Sequence, residues 1–228
     1  MEFTCRDIAN MIDHSLLKPE LTDEDIIVGC EIAKKYKVAS VCCSPSALPL
    51  VRTRLEGSGV NPTTIIGFPH GYNRTDTKVF EAEKAIDDGA KELDMVINIG
   101  KLRSGEFDYV KNDIKAVVDT AHRKGVIVKA IFENCYLSDE MKKTGYRLAE
   151  EAGADFIKTS TGFAPAGATL DDLRLMRKTV SEKVQVKAAH GVRDYDMAVK
   201  VRSTGATRFG ATQTENIMEE CYKKKGKE

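Results

Sequence analysis

The sequence predicts a single-domain (β/α)8 or TIM barrel over residues 1–228, and three observations support this fold class. Eight short apolar runs rich in Val and Ile alternate with eight amphipathic stretches of helical spacing from one end of the chain to the other. Eight such units in a chain of this length are the number that closes a parallel sheet into a barrel. No Gly-x-Gly-x-x-Gly follows the first apolar run, which disfavours an open doubly wound sheet.

The elements follow from these patterns in chain order. The expected strands are the apolar runs Ile12–Leu17, Val38–Cys43, Thr64–Gly67, Glu92–Ile97, Val126–Phe132, Phe156–Thr159, Val184–Ala189 and Thr207–Gly210. The expected helices are Asp23–Lys35, Ser46–Glu56, Thr77–Asp88, Glu106–Lys124, Asp139–Ala152, Leu170–Val180, Tyr195–Thr204 and Glu215–Lys223. Capping residues and carboxylates support several helix starts, as at Thr22-Asp23 and Ser138-Asp139.

Composition excludes several classes of function. The chain has 35 Lys and Arg against 35 Asp and Glu, and the C-terminal Lys223–Lys225 is its basic block, so neither nucleic acid nor an acidic membrane surface is an expected partner. No apolar run approaches the roughly 20 residues of a membrane helix, and residues 1–7 lack the pattern of an export signal. Six cysteines without a Cys-x-x-Cys motif predict neither a zinc site nor a disulfide framework. We therefore expect reduced thiols and a cytoplasmic protein.

An internal repeat points to the chemistry. A Gly-Ala pair leading into a strand occurs at residues 89–94, 153–158 and 205–210. The sixth residue of each copy is Asp94, Lys158 and Gly210, respectively. Two further strands carry a lysine after alternating valines, Lys129 and Lys187. Four charged residues are therefore expected inside buried strands, with three lysines facing one acid.

Buried lysines in excess of carboxylates suggest a reactive amine. A structural salt bridge inside the barrel is the alternative interpretation, and it explains one pair but not the excess positive charge. Burial and like-charge neighbours lower the pKa of an ammonium group, which makes the neutral amine available as a nucleophile for a carbonyl. Lys158 and Lys187 lie one βα unit apart and should sit at the ends of neighbouring strands, where barrels build active sites.

Four segments resemble the deoxyribose-phosphate aldolase family. They are residues 12–19 (IDHSLLKP), 66–69 (IGFP), 92–100 (ELDMVINIG) and 155–163 (DFIKTSTGF), and the resemblance extends from about residue 6 to about residue 212. It implies a class I aldolase on a (β/α)8 barrel that needs neither metal nor cofactor. It also implies the reversible cleavage of 2-deoxy-D-ribose 5-phosphate, a phosphorylated small-molecule substrate, to D-glyceraldehyde 3-phosphate and acetaldehyde, and a possible homodimer.

The resemblance also implies the roles of individual residues. It makes Lys158 the Schiff-base nucleophile, Asp94 the proton donor and acceptor, and Lys187 the partner that lowers the pKa of Lys158. It makes Lys129 an active-site lysine, and hydrogen bonding that orders Asp94 suits it better than reaction. The implied substrate-contacting residues nearest these charges are Asp13, Ser15, Cys42 and Thr159, although Cys42 is equally well explained as a small buried hydrophobic residue.

A phosphate is expected near the loops after strands 7 and 8, where backbone N–H groups at helix N-termini act as ligands. The expected contacts are Gly162, Gly191, Val192, Arg193, Gly210 and Thr212. Two positions depart from the family, which usually has Gly-Gly at His190-Gly191 and commonly Ser-Ser at Thr212-Gln213. The remaining histidines, at positions 14, 70 and 122, lack a second ligand at metal-binding spacing, so no metal site is expected.

Two other functions remain open from the sequence. The departures at His190 and Gln213 allow a Schiff-base aldolase that uses a different or an unphosphorylated aldehyde. A barrel that binds a sugar phosphate without turning it over is a further possibility, and it is disfavoured because a sensor has no use for a neutral buried amine.

Overall fold

A closed barrel of eight parallel strands forms the centre of the computed structural model, which describes residues 3–226. The strands pair in chain order, and β8 pairs with β1 to close the sheet. They are β1 Ile12–Leu16, β2 Ser40–Cys43, β3 Asn61–Ile66, β4 Glu92–Val96, β5 Ile127–Ile131, β6 Phe156–Lys158, β7 Gln185–Ala189 and β8 Arg208–Ala211. The predicted fold class is confirmed.

Helices follow the strands and cover the outside of the barrel. They are α1 Cys5–Ala9, α2 Asp23–Tyr36, α3 Leu48–Leu55, α4 Thr75–Asp87, α5 Ile99–Arg103, α6 Phe107–His122, α7 Asp139–Glu151, α8 Leu170–Thr179, α9 Tyr195–Ser203 and α10 Thr214–Lys225. Short 3₁₀ turns occupy Pro45–Ala47 and Asn134–Tyr136.

The differences from the predicted elements have local causes. The helices α1 and α5 were not predicted because five residues are too few to show helical periodicity; a Thr4–Asp7 capping box begins α1, and the Asn98 side chain caps α5. The strand β3 begins at Asn61 rather than at Thr64. Pro62 lacks an N–H group, but its carbonyl still accepts a hydrogen bond from the Lys91 N–H at 2.8 Å.

Residues alternate along each strand between the helical layer and the barrel axis. Leu93, Val128, Ile157 and Val186 belong to the hydrophobic core that the strands share with the helices. The interleaved positions carry the charged residues towards the axis, because successive side chains of a strand point to opposite faces. The interior of this barrel is therefore polar.

The first and last helices are joined by a disulfide between Cys5 and Cys221, whose Cα atoms lie 5.8 Å apart. The expectation that all thiols are reduced is wrong for this pair. Their separation of 216 residues conceals the pairing in the sequence, whereas closure of the barrel brings α1 and α10 into contact. Cys30, Cys42, Cys43 and Cys135 are free thiols. Between residues 3 and 226, every helix is too short or too polar to cross a membrane.

Candidate active site

The three predicted catalytic residues and Lys129 lie on four consecutive strands. Asp94 on β4 is in register with Lys129 on β5, and Lys158 on β6 is in register with Lys187 on β7. All four are buried, with at most 3% of any residue exposed. The strand pairing therefore brings together the four charges that the sequence placed in separate units.

Asp94 is the centre of this group. Its Oδ2 accepts hydrogen bonds from Lys158 Nζ and from Lys187 Nζ, each at 2.7 Å, and its Oδ1 accepts one from Lys129 Nζ at 2.9 Å. Burial alone would raise the pKa of Asp94, but the three ammonium groups outweigh burial and hold that pKa below its ordinary value. Asp94 is therefore an ionised carboxylate in the free site.

Two further carboxylates and an arginine extend the cluster below Asp94. Lys129 Nζ lies 2.5 Å from Glu92 and 3.1 Å from Asp13, and Asp13 also pairs with Lys187. Arg208 binds Asp13 at 2.6 Å and Glu92 at 3.1 Å. The expectation of three lysines facing one acid is therefore wrong, because four cationic side chains face three carboxylates and most of the positive charge is paired.

Glu92 and Arg208 were missed as members of the cluster, although the sequence carries a signal for each. Glu92 precedes Asp94 by two residues on β4 and so shares its face. Arg208 opens β8, is in register with Lys187, and has only 13% of its side chain exposed. It is a buried structural partner of Asp13 and Glu92.

The two lysines on Asp94 Oδ2 have shifted pKa values of opposite sign. Burial lowers the pKa of Lys187, and this effect exceeds the opposing attraction of Asp13 and Asp94. Burial is also the largest influence on Lys158 and acts to lower its pKa, but the charge of Asp94, the electrostatic effect of Cys42 and the hydrogen bond to Asp94 together outweigh it and the pKa is raised. The expectation that Lys158 has a lowered pKa is therefore wrong for the free site, and Lys187 is the amine that loses its proton more readily.

A cavity of about 450 Å³ opens above these lysines, at the carboxyl-terminal ends of the strands. Of the predicted site residues, the ones that line it are Asp13, Ser15, Cys42, Lys158, Gly162, Lys187, Gly191, Val192, Arg193, Gly210 and Thr212. Other lining residues, among them Lys18, Thr161, Phe163, His190 and Gln213, come from the loops that follow the same strands.

Three predicted residues lie outside the cavity wall. Asp94 is beneath it and contacts Lys158 and Lys187, which line it, and Lys129 is beneath it and contacts Asp13, which lines it. The Thr159 hydroxyl accepts a hydrogen bond from the Ala189 N–H at 3.0 Å, so it ties the end of β6 to β7. Burial raises the pKa of the Cys42 thiol to about 12, so Cys42 lines the cavity as a small neutral side chain.

Backbone N–H groups line the opposite end of the cavity. In the described part of the chain, the N–H groups of Gly162, Gly191, Val192, Arg193 and Thr212 have no acceptor within the protein. The adjacent helix α10 begins without a side-chain cap. Free N–H groups at a helix N-terminus favour an anion, so this end of the cavity has the donors that a phosphate requires.

His190 adopts a left-handed backbone conformation, with φ of 63°. A residue other than glycine is strained there by roughly 1–2 kcal/mol. The His190 side chain fills the space beside Gly167, where the Cβ of any larger residue would lie 2.6 Å from the imidazole. His190 therefore narrows this end of the cavity without removing a backbone donor.

The remaining histidines have separate surroundings. His14 is buried, its Nδ1 lies 2.8 Å from the Thr214 hydroxyl, and burial lowers its pKa to about 4. His70 stacks on Tyr72, and His122 pairs with Asp155 at 2.9 Å. No cluster of three potential metal-ligating side chains occurs between residues 3 and 226.

A closed barrel with buried amines at the base of a cavity, and anion donors at the other end, has the features of a barrel enzyme that acts on a carbonyl compound. Residues 8–217 match the family described as DeoC/LacD family aldolase. The chain therefore belongs to the DeoC/LacD family of aldolases.

Individual relatives agree with this assignment. The chain is 48% identical over 225 residues to the deoxyribose-phosphate aldolase of Rhodopirellula baltica, an alignment that covers 99% of this chain and 93% of the relative. It is 51% identical to the enzyme of the same name from Thermococcus gammatolerans, with 93% and 96% covered. The deoxyribose phosphate aldolase of Aeropyrum pernix, described as a tetramer, superposes with a TM-score of 0.89 at 28% identity and 97% and 93% coverage.

Proposed function

We propose that this aldolase reversibly cleaves 2-deoxy-D-ribose 5-phosphate to D-glyceraldehyde 3-phosphate and acetaldehyde through a Schiff base on Lys158. The observation that carries the proposal is the placement of two amines on one carboxylate oxygen at one end of a cavity with free N–H donors at the other. An aldehyde and a phosphate on one short sugar match these two ends.

The first step needs Lys158 as a neutral amine. Lys187 is the readier of the two amines to be neutral, and both amines contact Asp94 Oδ2. A neutral Lys187 accepts the proton of Lys158 by way of the shared oxygen. Because Lys187 is the weaker base, this transfer is uphill, and the addition that follows draws it forward. The Lys158 nitrogen then adds to C1 of the open-chain aldehyde, and loss of water gives the protonated imine.

The second step breaks the C2–C3 bond. A base removes the proton of the C3 hydroxyl, and that oxygen forms the carbonyl of glyceraldehyde 3-phosphate as the bonding pair moves to C2. The protonated imine accepts this pair as an enamine, and Asp94 is the group that moves the proton, acting through a water or an adjacent amine. Protonation of C2 and hydrolysis of the imine release acetaldehyde and restore Lys158.

The other predicted contacts have simpler roles in this proposal. Ser15 and Cys42 border the sugar chain, and Asp13 and Lys129 keep the charges around Asp94 in place. Gly162, Gly191, Val192, Arg193, Gly210 and Thr212 surround the phosphate. Thr159 acts through the strand pairing that it stabilises rather than by touching substrate.

Borohydride trapping tests the nucleophile directly. Acetaldehyde with borohydride is expected to leave a reduced two-carbon adduct on the peptide that contains residues 156–159. The variant Lys158→Ala is the control and should give no adduct and no cleavage. Labelling of Lys187 in the unmodified protein, or full activity of Lys158→Ala, would contradict the proposal.

A second candidate function is an aldolase for an unphosphorylated aldehyde. The observation that favours it is the His190 side chain in the phosphate end of the cavity. Cleavage of 2-deoxy-D-ribose 5-phosphate and of 2-deoxy-D-ribose, measured side by side, separates the two functions. Because the backbone donors remain free, we expect the phosphorylated sugar to be strongly preferred.

Assembly and location are also proposals. We propose that the chain forms a homodimer, which sedimentation equilibrium tests; a monomer would contradict it.

We propose a cytoplasmic location on the basis of the relatives, although the disulfide between Cys5 and Cys221 is unusual in a reducing compartment. Fractionation of intact cells tests the location.

A further inference from the structure

Glu133 is a buried carboxylate that the proposed chemistry does not use. It lies two residues after the end of β5, only 2% of it is exposed, and its backbone is left-handed with φ of 51°. A non-glycine residue keeps this conformation when its surroundings hold it there, and such residues cluster at functional sites.

The Glu133 carboxylate binds Thr161 through its backbone N–H group and its hydroxyl. The Thr161 N–H donates to Oε1 at 3.2 Å and to Oε2 at 3.1 Å, and the Thr161 hydroxyl donates to Oε2. The hydroxyl oxygen in turn accepts a hydrogen bond from the Phe163 N–H at 3.1 Å. Glu133 thus fixes both ends of a turn formed by Thr161, Gly162 and Phe163, which we call the partition turn.

The partition turn separates two cavities. Thr161 and Phe163 line the catalytic cavity and also a second cavity of about 360 Å³, whereas Glu133 lines the second cavity alone. The Phe163 ring packs edge-on against Phe68 at a centroid distance of 5.3 Å. Gly162 has φ of 92° and contributes one of the free N–H groups of the catalytic cavity. The partition turn is a wall of the catalytic cavity, and the residue that holds it in place, Glu133, lies on the side of the second cavity.

We propose that Glu133 is a positioning residue for substrate binding, because it holds the partition turn in the conformation that shapes the phosphate end of the catalytic cavity. This inference rests on the proposed function, since it assigns the turn to that substrate. Glu133 acts through Thr161 and does not touch the substrate. Its loss should therefore weaken binding more than it slows the chemical step.

The variant Glu133→Gln tests this role, because it keeps the size of the side chain and removes one of the two acceptor oxygens. We expect KM for 2-deoxy-D-ribose 5-phosphate to rise about tenfold, as for the loss of one charge-assisted hydrogen bond, with kcat changed less than about threefold. KM for unphosphorylated 2-deoxy-D-ribose should change much less. Glu56→Gln, at the exposed residue that follows α3, is the control. An equal loss for both sugars, or a loss in kcat alone, would overturn the proposal.

A second variant keeps the test decisive if Glu133→Gln does not fold. Thr161→Val removes the hydroxyl that links Glu133 to Phe163 and should produce a similar rise in KM, which Thr161→Ser should partly reverse. The double variant should be no worse than the more affected single variant, because both changes break one chain of hydrogen bonds. Additive effects of the two changes would overturn the proposal.

Inorganic phosphate separates this inference from the proposed function. If the unmodified protein fails to cleave the sugar phosphate, the proposed function fails, but calorimetric titration with inorganic phosphate still reports on the anion donors. We expect Glu133→Gln, or Thr161→Val if that protein does not fold, to bind phosphate about tenfold more weakly than the unmodified protein. Equal phosphate binding would overturn the positioning role whatever the activity.

Discussion

Lys158 and Lys187 donate hydrogen bonds to one and the same oxygen, Oδ2 of Asp94, each at 2.7 Å. Their pKa values nevertheless shift in opposite directions. Burial is the largest influence on both, but at Lys158 the contributions of Asp94 and Cys42 together outweigh it, whereas at Lys187 burial prevails. A proton that leaves the proposed nucleophile therefore has a short route to Lys187, which is more often neutral but binds the proton less tightly than Lys158 does. Lys158 and Lys187 can therefore exchange one proton through Asp94, which is a different role from two ammonium groups that lower each other's pKa by repulsion.

Replacing the acceptor should shift the pH dependence. In Lys187→Met, Lys158 must lose its proton to solvent from a raised pKa, so the pH at which activity appears should move upward. We expect kcat/KM at neutral pH to fall at least tenfold, as for a shift of about one pKa unit or more, with a smaller loss at high pH. The exposed Lys183→Met is the control. An equal loss at every pH would mean that Lys187 acts through geometry instead.

Removing Arg208 should destabilise the barrel. Arg208→Met leaves Asp13 and Glu92 buried without one of their cationic partners, and breaking a buried pair in this way costs about 3–5 kcal/mol. Urea denaturation at neutral pH measures the loss in free energy of unfolding. Arg147→Met on the exposed face of α7 should change that free energy by less than about 0.5 kcal/mol. Equal stability of the two variants would contradict the structural role of Arg208.

Acid should unfold the protein through its buried carboxylates. The pKa values of Asp13 and Asp94 are lowered in the folded chain: burial alone would raise them, but the neighbouring cations outweigh it. Their contribution to stability is therefore fully present above their unfolded pKa of about 3.9 and is lost as the pH falls towards the lower folded values. We expect the melting temperature to fall steeply below about pH 4. A melting temperature that stays constant down to about pH 2 would contradict this linkage.

The disulfide between α1 and α10 should contribute to stability and leave catalysis unaffected. Cys5→Ser removes a cross-link between residues 216 positions apart, for which the expected loss is about 2–5 kcal/mol. Differential scanning calorimetry should show a lower melting temperature, with activity at 25 °C unchanged. Cys135→Ser, which removes an exposed free thiol, is the control. Melting temperatures that agree for both variants and the parent would argue against the cross-link.

Position 190 tests the phosphate end of the cavity. His190→Gly relieves the left-handed strain and widens the cavity while keeping every backbone donor. We expect KM for the phosphorylated sugar to change more than kcat. Strain relief and the added freedom of glycine in the unfolded chain should nearly cancel, leaving the free energy of unfolding within about 1 kcal/mol of the parent. A large change in kcat with constant KM would place His190 in the chemical step.

The fold could be predicted from the sequence because each βα unit carries its own periodicity. The strands alternate with helices long enough to show an apolar face, as in Asp139–Glu151, and the strand order follows from chain order in a closed barrel. The helices Cys5–Ala9 and Ile99–Arg103 could not be predicted because five residues, about one and a half turns, are too few to show a helical repeat of apolar residues.

The sequence could predict the site residues only where a charged residue occupies an inward-facing position of a predicted strand. Asp94, Lys129, Lys158 and Lys187 stand out as charges inside apolar runs, and the structure brings them together. Which carboxylates neutralise them depends on register between distant strands, as for Asp13 opposite Gly210. The opposite pKa shifts of the two lysines depend in turn on distances that no sequence pattern records.

The first and last helices, α1 and α10, are in contact and are joined by a disulfide. With Cys5 and Cys221 only 5.8 Å apart between their Cα atoms, a linker that replaces the residues outside α1 and α10 can join these two helices. The Gly57–Gly59 loop lies on the side of the barrel opposite the cavity, and both glycines have open space around them. A circular permutant that begins there keeps the same neighbours for every strand. The same active site should therefore form although the eight units are synthesised in a different order.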